Sequence, residues 1–132
     1  MKKLFLSVSL LLLANSAFAA NTYLSGLACT ASNGVILSSE KATKQGVEIS
    51  SQWGIYTKDF FAKLGQASNN EKIYIELYNE DGSMDHFISL AADAEQKGAQ
   101  IVYGTLWSSI LGAAPALVAS VKCEIQLRNS RY

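Results

Sequence analysis

The only histidine of the sequence, His86, follows directly after Asp85. An imidazole beside a carboxylate can act as a general base, so this pair is the first place to look for catalysis. Neighbouring residues of a β-strand point to opposite faces, however, and the pattern here predicts a strand in which Asp85 and His86 do not orient each other. A serine nucleophile has no support either, because the chain lacks a G-x-S-x-G pattern. We therefore predict a structural histidine at the rim of an apolar face and no catalytic residue.

Oxygen-bearing side chains occupy alternate positions over residues 79–85, a spacing also used by calcium-binding loops. Such loops need glycine at their sixth position and a bidentate glutamate at their twelfth. Here Gly82 is the fourth residue and Leu90 is the twelfth. The same residue types are typical of a hairpin turn, so the sequence predicts neither a metal site nor a cofactor.

Glycoside hydrolysis needs two carboxyl groups that face each other across a cleft. Glu76 and Glu124 lie on predicted strands, but nothing in the sequence brings them together. A small carboxylate-dependent hydrolase, with Glu76, Asp85 or His86 as its candidates, is therefore the alternative interpretation of function and not the first.

The two cysteines, Cys29 and Cys123, allow one intramolecular disulfide. Each lies in an apolar, strand-like run and no C-x-x-C motif is present, which favours a structural bridge over a reactive thiol or a metal ligand. The bridge would close a loop of about 95 residues, which the chain-entropy model values at about 4–5 kcal/mol.

Residues 1–19 have the composition of a secretory signal peptide, with two lysines before an apolar run at 4–13 and an Ala-x-Ala site ending at Ala19. Cleavage would leave residues 20–132 as one exported domain, periplasmic or secreted, with nine basic and eleven acidic residues. Export delivers the chain to an oxidising space where a disulfide persists. The mature part has no apolar run long enough for a transmembrane helix and no basic excess for nucleic acid.

The clearest local structure is a hairpin over residues 72–90, where apolar and polar side chains alternate on both sides of Asp81-Gly82. A two-residue type I′ turn at this dipeptide brings the two apolar faces together without adjustment. The predicted cross-strand pairs are Leu77 with His86, Ile75 with Ile88 and Ile73 with Leu90.

A second turn at Lys97-Gly98 would extend this hairpin to a three-stranded meander over residues 72–107. Its register opposes Ile88 to Trp107, and it places Ile101, Tyr103, Thr105 and Trp107 on the inner face. The competing interpretation is a short helix over Ser89–Lys97, which the alanines in this stretch favour. We favour the strand.

Alternation also predicts strands at Tyr23–Ala31, Val35–Lys41, Val47–Trp53 and Leu117–Arg128. Residues 57–64 differ, because Phe60, Phe61 and Leu64 have helical spacing behind a potential N-cap at Thr57. The predicted fold class is mainly β: a small antiparallel β-sandwich or barrel of about six or seven strands with one short helix and one disulfide.

Tyr74, Tyr78 and Phe87 point away from the predicted core and form a candidate binding surface, unless the 57–64 helix covers them. No motif identifies a family. We therefore expect a small, exported, non-enzymatic binding or interaction module whose partner is an unknown protein or glycan of the cell envelope. The alternatives are the small hydrolase and a structural envelope subunit that pairs through an exposed edge strand.

Overall fold

The computed structural model describes residues 22–65, 73–92, 98–109 and 113–128. In these residues eight antiparallel strands follow one another in chain order around a closed barrel. The predicted signal peptide and residues 93–97 of the alternative helix lie outside the described residues. The strands are β1 (Tyr23–Ala31), β2 (Ile36–Ala42), β3 (Val47–Trp53), β4 (Tyr56–Leu64), β5 (Ile73–Tyr78), β6 (Met84–Leu90), β7 (Gly98–Ser108) and β8 (Ala116–Arg128).

The prediction of six or seven strands with one short helix is wrong at residues 57–64. This segment is β4, and it pairs along its length with β3 through a two-residue turn at Gly54-Ile55. Phe60 and Ala62 face the interior while Phe61 is only half-buried. The alternation is hard to recognise because the outward Phe61 is large and apolar while the inward Ala62 is small. The turn at Gly54 is the sequence feature that favours a second strand here.

The predicted disulfide is confirmed, and it lies at the seam where the barrel closes. With eight strands the first and the last run antiparallel, and β1 pairs directly with β8. Cys29 stands opposite Cys123 in this pairing, and the two sulfur atoms are bonded. The covalent link therefore fixes the pairing that is most distant in sequence.

The interior of the barrel is a packed apolar core. Eight strands enclose a space that side chains can fill, and here every strand contributes at least one buried apolar residue. One such residue from each strand, in order, is Leu27, Leu37, Ile49, Phe60, Ile75, Ile88, Leu106 and Ile125. None of the described segments is an apolar helix of the length needed to cross a membrane.

The predicted pairing of β5 with β6 is confirmed, including Leu77 opposite His86 and Ile75 opposite Ile88. The turn differs from the predicted type I′ dipeptide. Asn79 and Ser83 close a three-residue loop, in which Gly82 has a φ of 86° and its N–H donates to the Asn79 carbonyl. The extra loop residue shifts the register by one position beyond Leu77.

The predicted register between β6 and β7 is wrong by one residue. Phe87 opposes Trp107, and Ile88 opposes Leu106. A shift of one residue exchanges the faces of a strand, so Ile101 and Tyr103 are 61% and 64% exposed instead of inside. Both faces of residues 101–107 carry apolar side chains, so hydrophobicity alone could not decide between them.

Gly104 supplies the feature that decides the β6–β7 register. It faces the interior opposite Leu90, and a Cβ atom at this position would collide with the Ser89 carbonyl oxygen. The backbones of β6 and β7 therefore approach each other at a point where only glycine fits.

Candidate functional site

The outer face of β5 to β8 carries a cluster of aromatic rings. The rings of Phe87 and Trp107 are parallel, with their centroids 6.2 Å apart. The ring of Tyr74 packs edge-to-face against Phe87, also at 6.2 Å. Tyr74 and Phe87, two of the three residues predicted for a binding surface, thus lie together. The helix predicted at residues 57–64 does not cover them, since these residues form strand β4 of the barrel wall.

Tyr78, the third predicted residue, is held in a different way. Its hydroxyl donates a hydrogen bond of 2.8 Å to Glu76 Oε1. Burial of the phenol, followed by this hydrogen bond and the negative charge of Glu76, raises the pKa of Tyr78. Tyr78 is therefore a neutral donor at ordinary pH, located beside the aromatic cluster.

Trp107 belongs to the aromatic cluster, although the sequence pattern placed it inside. Its indole Nε1 donates to Thr105 Oγ1 of the same strand face at 2.8 Å. Thr105 is the one sequence feature that favours an outward Trp107. Residues two apart lie on the same face of a strand, so its hydroxyl can accept the indole N–H there.

The strand pairings arrange the outer side chains in two rows that run across four strands. One row begins at a carboxylate and continues through apolar groups: Glu76, Phe87, Trp107 and Leu117. The neighbouring row contains only hydroxyl-bearing side chains: Tyr74, Ser89, Thr105 and Ser120. We call these the aromatic row and the hydroxyl row.

A second cluster lies at the rim of the barrel, where β6 begins. Here His86 Nδ1 and Asp85 Oδ1 are 2.8 Å apart, so the prediction that these neighbours do not orient each other is wrong. Alternation separates neighbours in a regular strand, but the register shift between the Leu77–His86 and Tyr78–Met84 pairs leaves Asp85 as the extra residue of a bulge, where regular alternation is lost. An ionised carboxylate only accepts hydrogen bonds, so the ring nitrogen Nδ1 carries the proton.

The His86 ring is held from the barrel interior by two aromatic rings. Its centroid lies 4.9 Å from that of Trp53 and 5.9 Å from that of Phe60. Lys58 Nζ lies 4.9 Å from the centroid of the Phe60 ring and 3.7 Å from Asp85 Oδ2. The rim cluster therefore links β3, β4 and β6, and His86 is a rim residue of the inner face.

The charge state of Asp85 follows from opposing effects. Burial disfavours its ionised form, but the hydrogen bond and charge of His86, the charge of Lys58 and a hydrogen bond with Asn79 outweigh this. The net effect holds the pKa of Asp85 below its ordinary value. Asp85 is thus a charged partner for His86 at neutral pH.

An open groove of about 290 Å³ lies beside this rim. Four carboxylates and three aromatic residues contribute to its walls. They are Glu40, Glu48, Asp59 and Glu80, with Phe60, Phe61 and Tyr78.

The other sequence candidates do not form sites in the described residues. Asp81 Oδ1 accepts hydrogen bonds from the backbone and hydroxyl of Ser83, as in a turn, and these bonds lower the pKa of Asp81. No group of three or more histidine, cysteine or acidic side chains in the described part of the chain could hold a metal ion. Glu76 and Glu124 lie on strands β5 and β8, three strand spacings or roughly 14 Å apart, so they cannot act as a pair.

Comparison with known proteins gives no relative from which a function could be transferred. The chain matches no family model, no curated protein and no solved structure. Any function must therefore be argued from the aromatic row, the hydroxyl row and the rim cluster themselves.

Proposed function

We propose that this protein is a non-enzymatic binding module that presents the outer face of β5 to β8 to a protein or glycan of the cell envelope. The observation that carries the proposal is the parallel pair of Phe87 and Trp107 on the outside of a barrel whose core is already complete. These rings are not needed to fill the interior, and beside them Leu117 is 58% exposed. Apolar rings and side chains gathered on an outer surface are typical of interaction sites.

Export is part of the same proposal. It rests on the signal-like composition of residues 1–19, and a disulfide between Cys29 and Cys123 suits an oxidising compartment. We propose a periplasmic or secreted location. The alternative of an envelope subunit that pairs through an edge strand receives no support from a closed barrel, because closure removes sheet edges.

The test is retention of envelope material on immobilised mature protein. Trp107→Ser removes one ring of the parallel pair on the outer face, and Ile55→Ser removes an apolar side chain, 91% exposed, from the β3–β4 turn. We expect Trp107→Ser to lose most of the retained material while Ile55→Ser keeps it. Equal retention by all three proteins would contradict the proposed surface.

The rim cluster favours a second candidate function, a small hydrolase. Asp85 fixes Nδ1–H of His86, which leaves Nε2 as the nitrogen that can accept a proton from water or a hydroxyl group. The His86 side chain is 18% exposed, so access to it is narrow. This candidate ranks second because no nucleophile contacts the imidazole in the described residues.

Hydrolysis is tested with a panel of activated esters and chromogenic glycosides. We expect no turnover above the background of His86→Gln, which keeps a polar side chain but cannot act as a base. Turnover that depends on both His86 and Asp85, and that survives Trp107→Ser, would establish the enzyme and displace the binding module.

A further inference from the structure

The two outer rows differ in chemistry, because one is mainly apolar and the other carries a hydroxyl group on every strand. The aromatic row offers ring faces and an aliphatic side chain through Phe87, Trp107 and Leu117. The hydroxyl row runs parallel to it, and each of its four side chains is at least partly exposed. Thr105 already accepts the Trp107 N–H, so its hydroxyl hydrogen is free to be donated outward.

Charge is confined to the border of this surface. Glu76 ends the aromatic row and pairs with Lys63 on β4, and Lys122 and Glu124 lie farther along β8. The centre, made by Phe87, Trp107 and their hydroxyl-row neighbours, carries no ionisable group. The border therefore holds two carboxylates and two lysines, so it attracts neither an anionic nor a cationic ligand by its net charge. The charge distribution therefore suits an uncharged ligand.

We infer that the outer face binds an uncharged oligosaccharide. A pyranose ring has an apolar face of C–H groups and an edge of hydroxyl groups, which matches the pairing of an aromatic row with a hydroxyl row. Four adjacent strands span roughly 14 Å, which is longer than one sugar ring, so the ligand is a chain and not a monosaccharide. This inference rests on the proposed function, because it names the ligand class of the same surface.

The two tryptophans of the chain allow a direct test. Trp53→Phe leaves Trp107 as the only tryptophan, so its fluorescence reports on the outer face alone. We would titrate this variant with cellotetraose, maltotetraose and the tetramer of N-acetylglucosamine. A saturable change in emission with at least one of them is expected. Loss of a stacking ring in Phe87→Leu should weaken binding about tenfold, whereas Ile55→Ser should leave it unchanged.

The outcomes separate this inference from the proposed function. If no neutral oligosaccharide binds but envelope material is still retained through Trp107, the glycan class is wrong and the binding module stands. Binding of only an anionic polysaccharide, weakened by salt, would overturn the uncharged class in the same way. If neither oligosaccharide nor envelope material depends on Trp107, both the inference and the proposed function fail.

Discussion

Cys29 and Cys123 face each other across the one strand pairing that joins the two ends of the barrel sheet. All other pairings connect strands that follow each other in the chain, whereas β1 and β8 must meet across a sequence separation of 94 residues. Closing a long loop is the entropically expensive step of such a topology. The disulfide removes this cost from folding because the unfolded chain is already closed.

Reduction of this disulfide should therefore lower the free energy of unfolding by about 4–5 kcal/mol, less any strain that reduction releases. Denaturant unfolding with and without reductant measures the difference. A Cys29→Ala/Cys123→Ala variant serves as the control, since its midpoint should not respond to reductant. An unchanged midpoint for the native protein on full reduction would contradict the role of the bridge in closure.

The sequence predicted most strands and the disulfide because each depends on local alternation or on the only two cysteines. The prediction failed where hydrophobicity does not distinguish the two faces of a strand. Residues 101–107 are apolar on both faces, and the register is decided by the contact of Gly104 with β6, which is a tertiary feature. The contact between Asp85 and His86 depends on the bulge that leaves Asp85 unpaired with β5, which periodicity does not describe. The aromatic row could not be predicted in full, because Trp107 enters it only in the correct register.

Gly104→Ala should destabilise the barrel. The new methyl group would be forced against the Ser89 carbonyl and the Leu90 side chain, so the backbones of β6 and β7 must separate. Overpacking of this kind costs about 1–3 kcal/mol. Gly26→Ala is the matched control, since its Cβ would lie 3.4 Å from its nearest neighbour atom, in ordinary contact. Equal thermal midpoints for the two variants would show that β6 and β7 do not approach as described.

Ser51→Ala should cost more stability than Thr105→Val, although each removes the hydroxyl partner of a tryptophan two residues away. Ser51 is 1% exposed, donates to the Lys58 carbonyl at 2.6 Å and accepts from Trp53 Nε1 at 2.7 Å. Its loss leaves buried polar groups unpaired, at about 1–3 kcal/mol, whereas water can replace the hydroxyl of Thr105, which is only half-buried. Chemical denaturation of the two variants gives the comparison, and a larger loss for Thr105→Val would reverse the assignment of inner and outer faces.

The free energy of unfolding should decrease at acidic pH partly because Asp85 of the rim cluster becomes protonated. Its pKa in the folded protein lies below the ordinary value of 3.8, so its contribution is complete above 3.8 and is lost as the pH falls through the folded pKa. Asp85→Asn lacks this contribution, and its stability should fall less steeply with pH below 3.8 than that of the native protein. Asp81 is present in both proteins, so its own titration cancels in the difference.

Carboxyl NMR of Asp85 in a His86→Gln variant tests the cause of the lowered pKa. Because the variant loses the charge of the His86 ring, the titration midpoint of Asp85 should move upward. An unmoved midpoint would mean that His86 does not hold this carboxylate in its charged form.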